Sequence, residues 1–156
     1  MKNNDAALRD HLLKALDADH AHLKFEDAVS DFPPANRGTR PKGAPHSAWE
    51  LLEHLRITLS DILEFSRDPK HVSPEFPAGY WPSSMAPPDD GAWDASVAAY
   101  RKDLRDFAAL IADESLDLYA PFAHGDGQTL LREALLAIDH NAYHLGQLVT
   151  VKRMLA

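Results

Sequence analysis

Two histidines near the end of the chain, His140 and His144, lie four residues apart in a segment whose pattern predicts a long helix. Because an α-helix has about 3.6 residues per turn, positions i and i+4 share one face, so both imidazoles can point at the same place. Two ligands of one metal ion need this arrangement. A chain with nine histidines in 156 residues also produces such a pair readily by chance, so other parts of the sequence must decide its meaning.

A third histidine, His54, lies in the middle of an earlier predicted helix, with Leu51 and Ile57 three positions to either side. All three histidines border the apolar stripe of their helix. Three imidazoles facing a shared core would form a three-nitrogen site that keeps positions open for water or substrate. Because neutral ligands do not compensate the ion's charge, such a site would acidify a bound water and attract an anionic atom. The alternative interpretation is a set of hydrogen-bonded packing residues.

The remaining histidines are weaker candidates. His20 and His22 are two positions apart, so they would point to different sides of a helix. His46 immediately precedes a predicted helix cap. The others are isolated polar residues that we expect to be solvated, namely His11, His71 and His124.

Five carboxylates occur in the same two predicted helices as the three histidines. They are interpreted either as solvated side chains or as groups that orient a ligating imidazole through its second ring nitrogen. They are Glu50, Glu53, Asp61, Glu133 and Asp139. Asp139 precedes His140 directly, and consecutive helical residues diverge by about 100°, so Asp139 cannot easily serve that imidazole.

Four segments have the periodicity of amphipathic helices. Ser47 followed by Glu50 forms a capping box at the start of the second, and Thr129 is a suitable N-cap for the fourth. Asp89 or Asp90 can cap the third. The predicted helices cover about residues 5–29, 47–66, 89 or 90 to 111, and 129 to the C-terminus.

Long connections rich in proline and glycine separate these helices, at residues 32–46, 67–88 and 120–128. The middle connection carries Phe76, Tyr80 and Trp81. These aromatic residues either attach the loop to the bundle or form a lid or pocket wall. No segment has the pattern of a strand. The sequence therefore predicts an all-α protein, a four-helix bundle forming a single domain over residues 1–156.

The composition excludes several classes of protein. A net charge of −8 with scattered basic residues argues against nucleic-acid binding. The absence of cysteine excludes disulfides, a thiolate metal site and a cysteine nucleophile. No apolar stretch is long enough for a membrane span, and the first residues lack the apolar core of a signal peptide. We therefore expect a cytoplasmic protein with a small-molecule substrate and no membrane partner.

Three motifs together resemble the DinB-like superfamily, which also takes in YfiT-like proteins. They are S-A-W-E-L-L-E-H-L at 47–55, Q-T-L-L-R-E at 128–133 and D-H-N-A-Y-H-L-G-Q at 139–147. The resemblance covers nearly the whole chain. It implies a four-helix bundle with an unusual helix order and long connections, and a homodimer. It also implies a nickel or zinc ion, with His54, His140 and His144 as the ligands.

What the resemblance implies about activity is broader. Characterised relatives resemble transferases that use a low-molecular-weight thiol such as mycothiol or bacillithiol, and this is the leading expectation. The alternatives are a metal-dependent hydrolase, a non-catalytic stress-response protein with a vestigial metal site, or a helical dimer without metal. No catalytic base is assigned. The candidate polar groups near the site are Glu53, Asn141 and Tyr143.

Overall fold

The chain folds into α-helices joined by long loops, in a computed structural model that describes residues 2–18 and 21–156. Within these residues the only strand-like pairing is an isolated bridge between Pro121 and Thr129. The predicted all-α class is therefore confirmed. The α-helices of the described residues are α1 (Lys2–Leu16), α2 (Phe25–Val29), α3 (Ala48–Arg67), α4 (Ala92–Ala112) and α5 (Leu130–Met154), with 3-10 turns at Pro34–Asn36 and Ala78–Tyr80.

The first predicted helix is wrong in its extent, because the segment 5–29 contains two helices rather than one. Helix α1 ends at Leu16, and Ala18 adopts a left-handed backbone conformation with φ of 55°. Helix α2 begins after Lys24, and its Phe25 ring stacks on Tyr100 of α4 at 4.1 Å. This tertiary contact overrides the local preference for a continuous helix. His20 lies outside the described residues, and His22 is exposed in the connection rather than on a helix.

Two of the three predicted N-caps, Ser47 and Thr129, are confirmed. Ser47 Oγ accepts a hydrogen bond from the Glu50 N–H at 3.2 Å, and the Glu50 carboxylate accepts one from the Ser47 N–H at 2.8 Å. Thr129 Oγ1 accepts from the Arg132 N–H at 3.1 Å. The third prediction is wrong. Gly91 is the N-cap of α4, and the preceding aspartate, Asp89, accepts the Gly91 N–H in the turn before it.

The four long helices α1, α3, α4 and α5 share one core, and α1 and α3 each pack against both α4 and α5. The predicted bundle is confirmed, with α2 as an additional short helix. Five leucines of α3 are at most 1% exposed, namely Leu51, Leu52, Leu55, Leu59 and Leu63. Burial of this many large apolar side chains is the main stabilising contribution to such a bundle. None of the helices in the described residues is long and apolar enough to cross a membrane.

Helix α3 runs antiparallel to α5 and parallel to α4. His54 in the first half of α3 meets His144 in the second half of α5. Ser96 near the start of α4 bonds Glu53, and an ion pair at the other end joins α4 to the last residue of α3. Two parallel neighbours of this length need a connection that returns along the whole helix, about 30 Å for 20 residues. This requirement explains the length of the loop between α3 and α4.

The α3–α4 loop, residues 68–91, makes that return along the surface of α3. Its contacts progress steadily from the C-terminal end of α3 to its N-cap. Phe76 takes no part in this packing and is 84% exposed. The contacts, in chain order, are His71 with Asp61, Trp81 with His54, and Met85 with Ser47.

Candidate metal centre

Three histidines from two helices meet on one side of α3. The Nε2 atom of His54 lies 3.0 Å from the Nε2 atom of His140 and 3.1 Å from that of His144. The antiparallel packing of α3 and α5 brings the three together, and the spacing of four residues places His140 and His144 on one face of α5. His54 is buried, and the other two are half-buried. These side chains are arranged so that they could hold one metal ion.

The second ring nitrogen of two histidines is fixed by a hydrogen-bond acceptor. Nδ1 of His54 lies 2.8 Å from the Tyr80 carbonyl oxygen, and Nδ1 of His144 lies 2.7 Å from Gln147 Oε1. Only a protonated ring nitrogen can donate to these oxygens, so the neutral imidazoles carry their hydrogen on Nδ1. Their Nε2 atoms therefore present lone pairs to the centre of the cluster.

His140 is positioned differently from the other two. Its Nδ1 atom is buried and has no hydrogen-bond partner among the described residues. Its ring is tilted by 58° to that of His54 and by 55° to that of His144. Its Nε2 atom lies 3.0 Å from His54 Nε2.

All three imidazoles are neutral at neutral pH. Burial, together with the imidazoles of His144 and His54, lowers the pKa of His140 to about 4. Burial is also the main reason that the pKa of His144 falls to about 4, and it lowers the pKa of His54. A neutral imidazole is the form that binds a metal ion.

The spacing of the nitrogens fits a divalent ion. Metal–nitrogen bonds of about 2.0–2.1 Å place two ligand nitrogens about 3.0 Å apart in octahedral geometry and about 3.4 Å apart in tetrahedral geometry. The two separations from His54, 3.0 and 3.1 Å, lie at this spacing, and the three histidines together lie within 4.8 Å of one another. The lone pairs of His54 and His144 face each other at such a distance and repel, and a cation between them would remove the repulsion.

An aromatic stack covers one face of His54. The Trp81 ring lies parallel to the His54 ring, with 3.9 Å between centroids and 1° between planes. The His46 ring stacks on the Trp81 ring, with 4.0 Å between their centroids, and both side chains are half-buried. The contact from Trp81 keeps solvent away from this face of the imidazole. The aromatic residues of the loop were expected either to attach it to the bundle or to form a pocket wall. Tyr80 and Trp81 do both, since they attach the loop and also form a wall of the site.

No carboxylate on α3 or α5 is bonded to any of the three imidazoles in the described contacts. Glu50 pairs with Arg40, Glu53 with Arg56, and Glu133 with Arg132. Asp61 accepts from the Tyr80 hydroxyl at 2.7 Å and is bonded to the loop rather than to the three imidazoles, and Asp139 is exposed. The orienting groups are instead the Tyr80 carbonyl and the Gln147 amide. Gln147 follows His144 by three residues, a helical spacing that could have indicated the contact.

The remaining candidates divide into buried and exposed side chains. His71 was predicted to be solvated, and this is wrong, because it is half-buried with Nε2 2.7 Å from Asp61 Oδ1. His11 and His124 are exposed as predicted. Asn141 is buried beside His140, and its side chain opposes the fall in the pKa of that imidazole. Tyr143 is exposed, and its ring lies 4.9 Å from that of His144.

Comparison with known proteins gives one family. The family model of the DinB superfamily matches residues 17–148, which include α3, α4, all three histidines and most of α5. No curated protein and no solved structure matches the chain. The match covers most of the sequence and agrees with the helical fold. The chain therefore belongs to the DinB superfamily.

Proposed function

We propose that His54, His140 and His144 bind one divalent metal ion, and that the protein is an enzyme that transfers a low-molecular-weight thiol to an electrophilic substrate. The observation that carries this proposal is the convergence of three histidines, in which His54 Nε2 lies 3.0 and 3.1 Å from the other two Nε2 atoms and all the possible ligand atoms lie within 4.8 Å of one another. The resemblance to the DinB-like superfamily, in which many members bind nickel or zinc through three such histidines, supports the same assignment. Imidazole nitrogens suit nickel and zinc, and we propose one of these two.

The surrounding residues prepare the site for an anionic nucleophile. A bound divalent ion lowers the pKa of a thiol or a water that reaches it, which makes a nucleophile near neutral pH. The three ligands are neutral, so the positive charge stays available to a thiolate. The Tyr80 carbonyl holds His54 in its ligating tautomer, and Trp81 keeps water from one face of the ring.

The surroundings favour thiol transfer over hydrolysis. A hydrolase usually needs a protein base within hydrogen-bond reach of the attacking water. Of the two carboxylates next to a ligand in sequence, Glu53 is engaged by Arg56, and Asp139 is exposed. Glu50, on the same face of α3 as His54, is also engaged by an arginine. A thiol needs no such base once it has ionised. A metal-dependent hydrolase, and a binding protein with a vestigial site, remain as the alternative functions that an experiment must separate.

The test begins with metal content. Purified protein loaded with nickel or zinc should contain about one ion per chain, and His54→Ala should lose it. His11→Ala, which removes an exposed histidine on α1, is the matched control and should keep the ion. An ion content that is the same in His54→Ala and in the control would overturn the metal site.

Activity is then measured with a panel of thiols, including bacillithiol, mycothiol and glutathione, against an epoxide and an activated aryl halide. Thiol transfer that requires the metal and is lost in His54→Ala supports the proposal. Metal-dependent cleavage of ester or amide substrates without thiol would favour the hydrolase. Full metal loading with no turnover of either kind would favour the binding protein. The homodimer stays a prediction, and light scattering tests it.

A further inference from the structure

A cavity of about 470 Å³ lies beside the three histidines, between α5 and the segment that precedes α3. This is within the volume range of pockets that bind small molecules. One wall consists of four residues of α5 at helical spacing, Tyr143, Gln147, Thr150 and Met154. These positions span about 16 Å at a rise of about 1.5 Å per residue. The cavity is therefore long enough for an extended molecule.

Three lining residues connect the cavity to the metal centre. Gln147 accepts the hydrogen bond from His144, and the Tyr143 ring packs edge-on against the His144 ring. His46 lines the cavity and stacks on Trp81, which in turn stacks on His54. The cavity and the metal centre thus share a wall, so a molecule in the cavity lies against the side chains that orient the ligands.

The surface of the cavity is mainly apolar, and its only charged side chain in the described part of the chain is positive. Apolar residues make up half of the lining, and two of them, Met154 and Tyr143, are 52% and 64% exposed. Large apolar side chains left exposed around a cavity are typical of a binding site. Among the described residues that line it none is acidic, although the chain carries a net charge of −8. The one fixed charge is Lys42, and no ion pair joins it to another described residue.

We propose that this cavity binds the apolar body of the metal centre's substrate, and that the substrate is an amphipathic molecule with an anionic group held by Lys42. The apolar lining selects an alkyl or aryl chain, and the uncompensated lysine selects a carboxylate or a similar anion. The description of this ligand as the substrate rests on the proposed function. The cavity and its charge do not depend on that function.

Gly146 is a position at which a larger side chain can be placed in this cavity. It lies on α5 between Tyr143 and Gln147 and lines the cavity, and a Cβ atom built on it would meet no atom within 4 Å. A larger side chain can therefore be introduced without a backbone clash, and it would also favour the helix. Gly146→Trp should fill part of the cavity, whereas Gly146→Ala is the matched control that leaves it open.

The experiment measures binding rather than turnover. Protein loaded with cobalt(II) is titrated with 3-mercaptopropionate and with 11-mercaptoundecanoate, and the thiolate-to-cobalt absorption band reports occupancy. We expect the longer thiol to bind at least about tenfold more tightly. Gly146→Trp should remove this advantage, and Gly146→Ala should keep it. Lys42→Met should lower the affinity for 11-mercaptoundecanoate several-fold and leave the affinity for 11-mercaptoundecanol unchanged.

A metal-free arm separates this inference from the proposed function. Titration calorimetry follows decanoate binding to metal-free wild type, Gly146→Ala, Gly146→Trp and Lys42→Met. Decanoate binding that is lost in Gly146→Trp and weakened in Lys42→Met supports the cavity even if cobalt does not bind. Equal affinities for the short and long thiols, or decanoate binding that neither Gly146→Trp nor Lys42→Met affects, would overturn it. Absence of any decanoate binding to the wild type would overturn it as well.

Discussion

Two clusters of polar side chains, one around His54 and one around Asp61, lie about two helical turns apart on α3. They differ in the hydrogen-bond partners that their histidine nitrogens have. At the Asp61 cluster, one carboxylate accepts from the Tyr80 hydroxyl and contacts His71 Nε2, so every contact pairs a nitrogen or a hydroxyl with a carboxylate oxygen. At the His54 cluster, three Nε2 atoms face one another and no carboxylate is bonded to them in the described residues.

The difference concerns what each cluster lacks. The Asp61 cluster is complete within the chain, and its role is to attach the α3–α4 loop. The His54 cluster has lone pairs but no positive charge among them, since burial keeps the imidazoles neutral. A cation supplied from outside would complete it. The contrast therefore separates a loop histidine that serves the fold from three helical histidines that are arranged so that they could hold an ion, although all four are half-buried or buried.

The largest expected effect comes from metal binding itself. A saturating divalent ion, at about 1,000 times its dissociation constant, stabilises the folded state by about 4 kcal/mol. Thermal unfolding of wild type and of His71→Ala should therefore shift upward by several degrees when nickel or zinc is added. His140→Ala should show little or no shift, because its Nε2 is one of the three converging nitrogens. A metal-induced shift of equal size in His140→Ala would remove the distinction between the two clusters.

A smaller effect is expected where the two clusters are joined. Tyr80 contributes its hydroxyl to Asp61 and its carbonyl to His54 Nδ1. Tyr80→Phe removes only the hydroxyl bond, at a cost of about 1 kcal/mol or slightly more. The loosened carbonyl should also weaken metal affinity, by up to about tenfold. Tyr119→Phe, at an exposed tyrosine, is the control for both calorimetric unfolding and metal titration. Unchanged metal affinity in Tyr80→Phe would show that the clusters are independent.

The sequence predicted the parts of this molecule that local signals determine. The capping box at Ser47 and the N-cap at Thr129 mark the starts of α3 and α5, since a side-chain acceptor for free N–H groups is a local requirement. The break between α1 and α2 was missed, because it depends on Phe25 packing against Tyr100. Helical spacing and the family resemblance together singled out the three histidines that the structure brings together.

The surroundings of the site could not be predicted in the same way. Trp81 and the Tyr80 carbonyl reach His54 only because α3 and α4 run parallel, which forces the loop to return along α3. Nothing in the loop's own sequence specifies that path. The same path brings His71 to Asp61, ten residues away in sequence, which is why an isolated histidine expected in solvent is half-buried.

The smallest predicted effect concerns charge beside the Asp61 cluster. Glu133 is 2% exposed, and burial raises its pKa, with a further rise from the charge of Asp61 and an opposing contribution from Arg132. A folded-state pKa above the unfolded value means that the folded state holds its proton longer. Stability should therefore fall as the pH rises from the unfolded pKa through the raised folded pKa, and then level off.

Replacing this carboxylate should remove that part of the pH dependence. Glu133→Gln should have a flatter profile of melting temperature against pH than the wild type between about pH 4 and pH 7. Asp139→Asn, at an exposed carboxylate on the same helix, should leave the profile of the wild type in place. An identical slope in Glu133→Gln and wild type would mean that burial and the charge of Asp61 do not raise the pKa of Glu133. The contrast with the uncharged histidine cluster would then lie in hydrogen bonding alone.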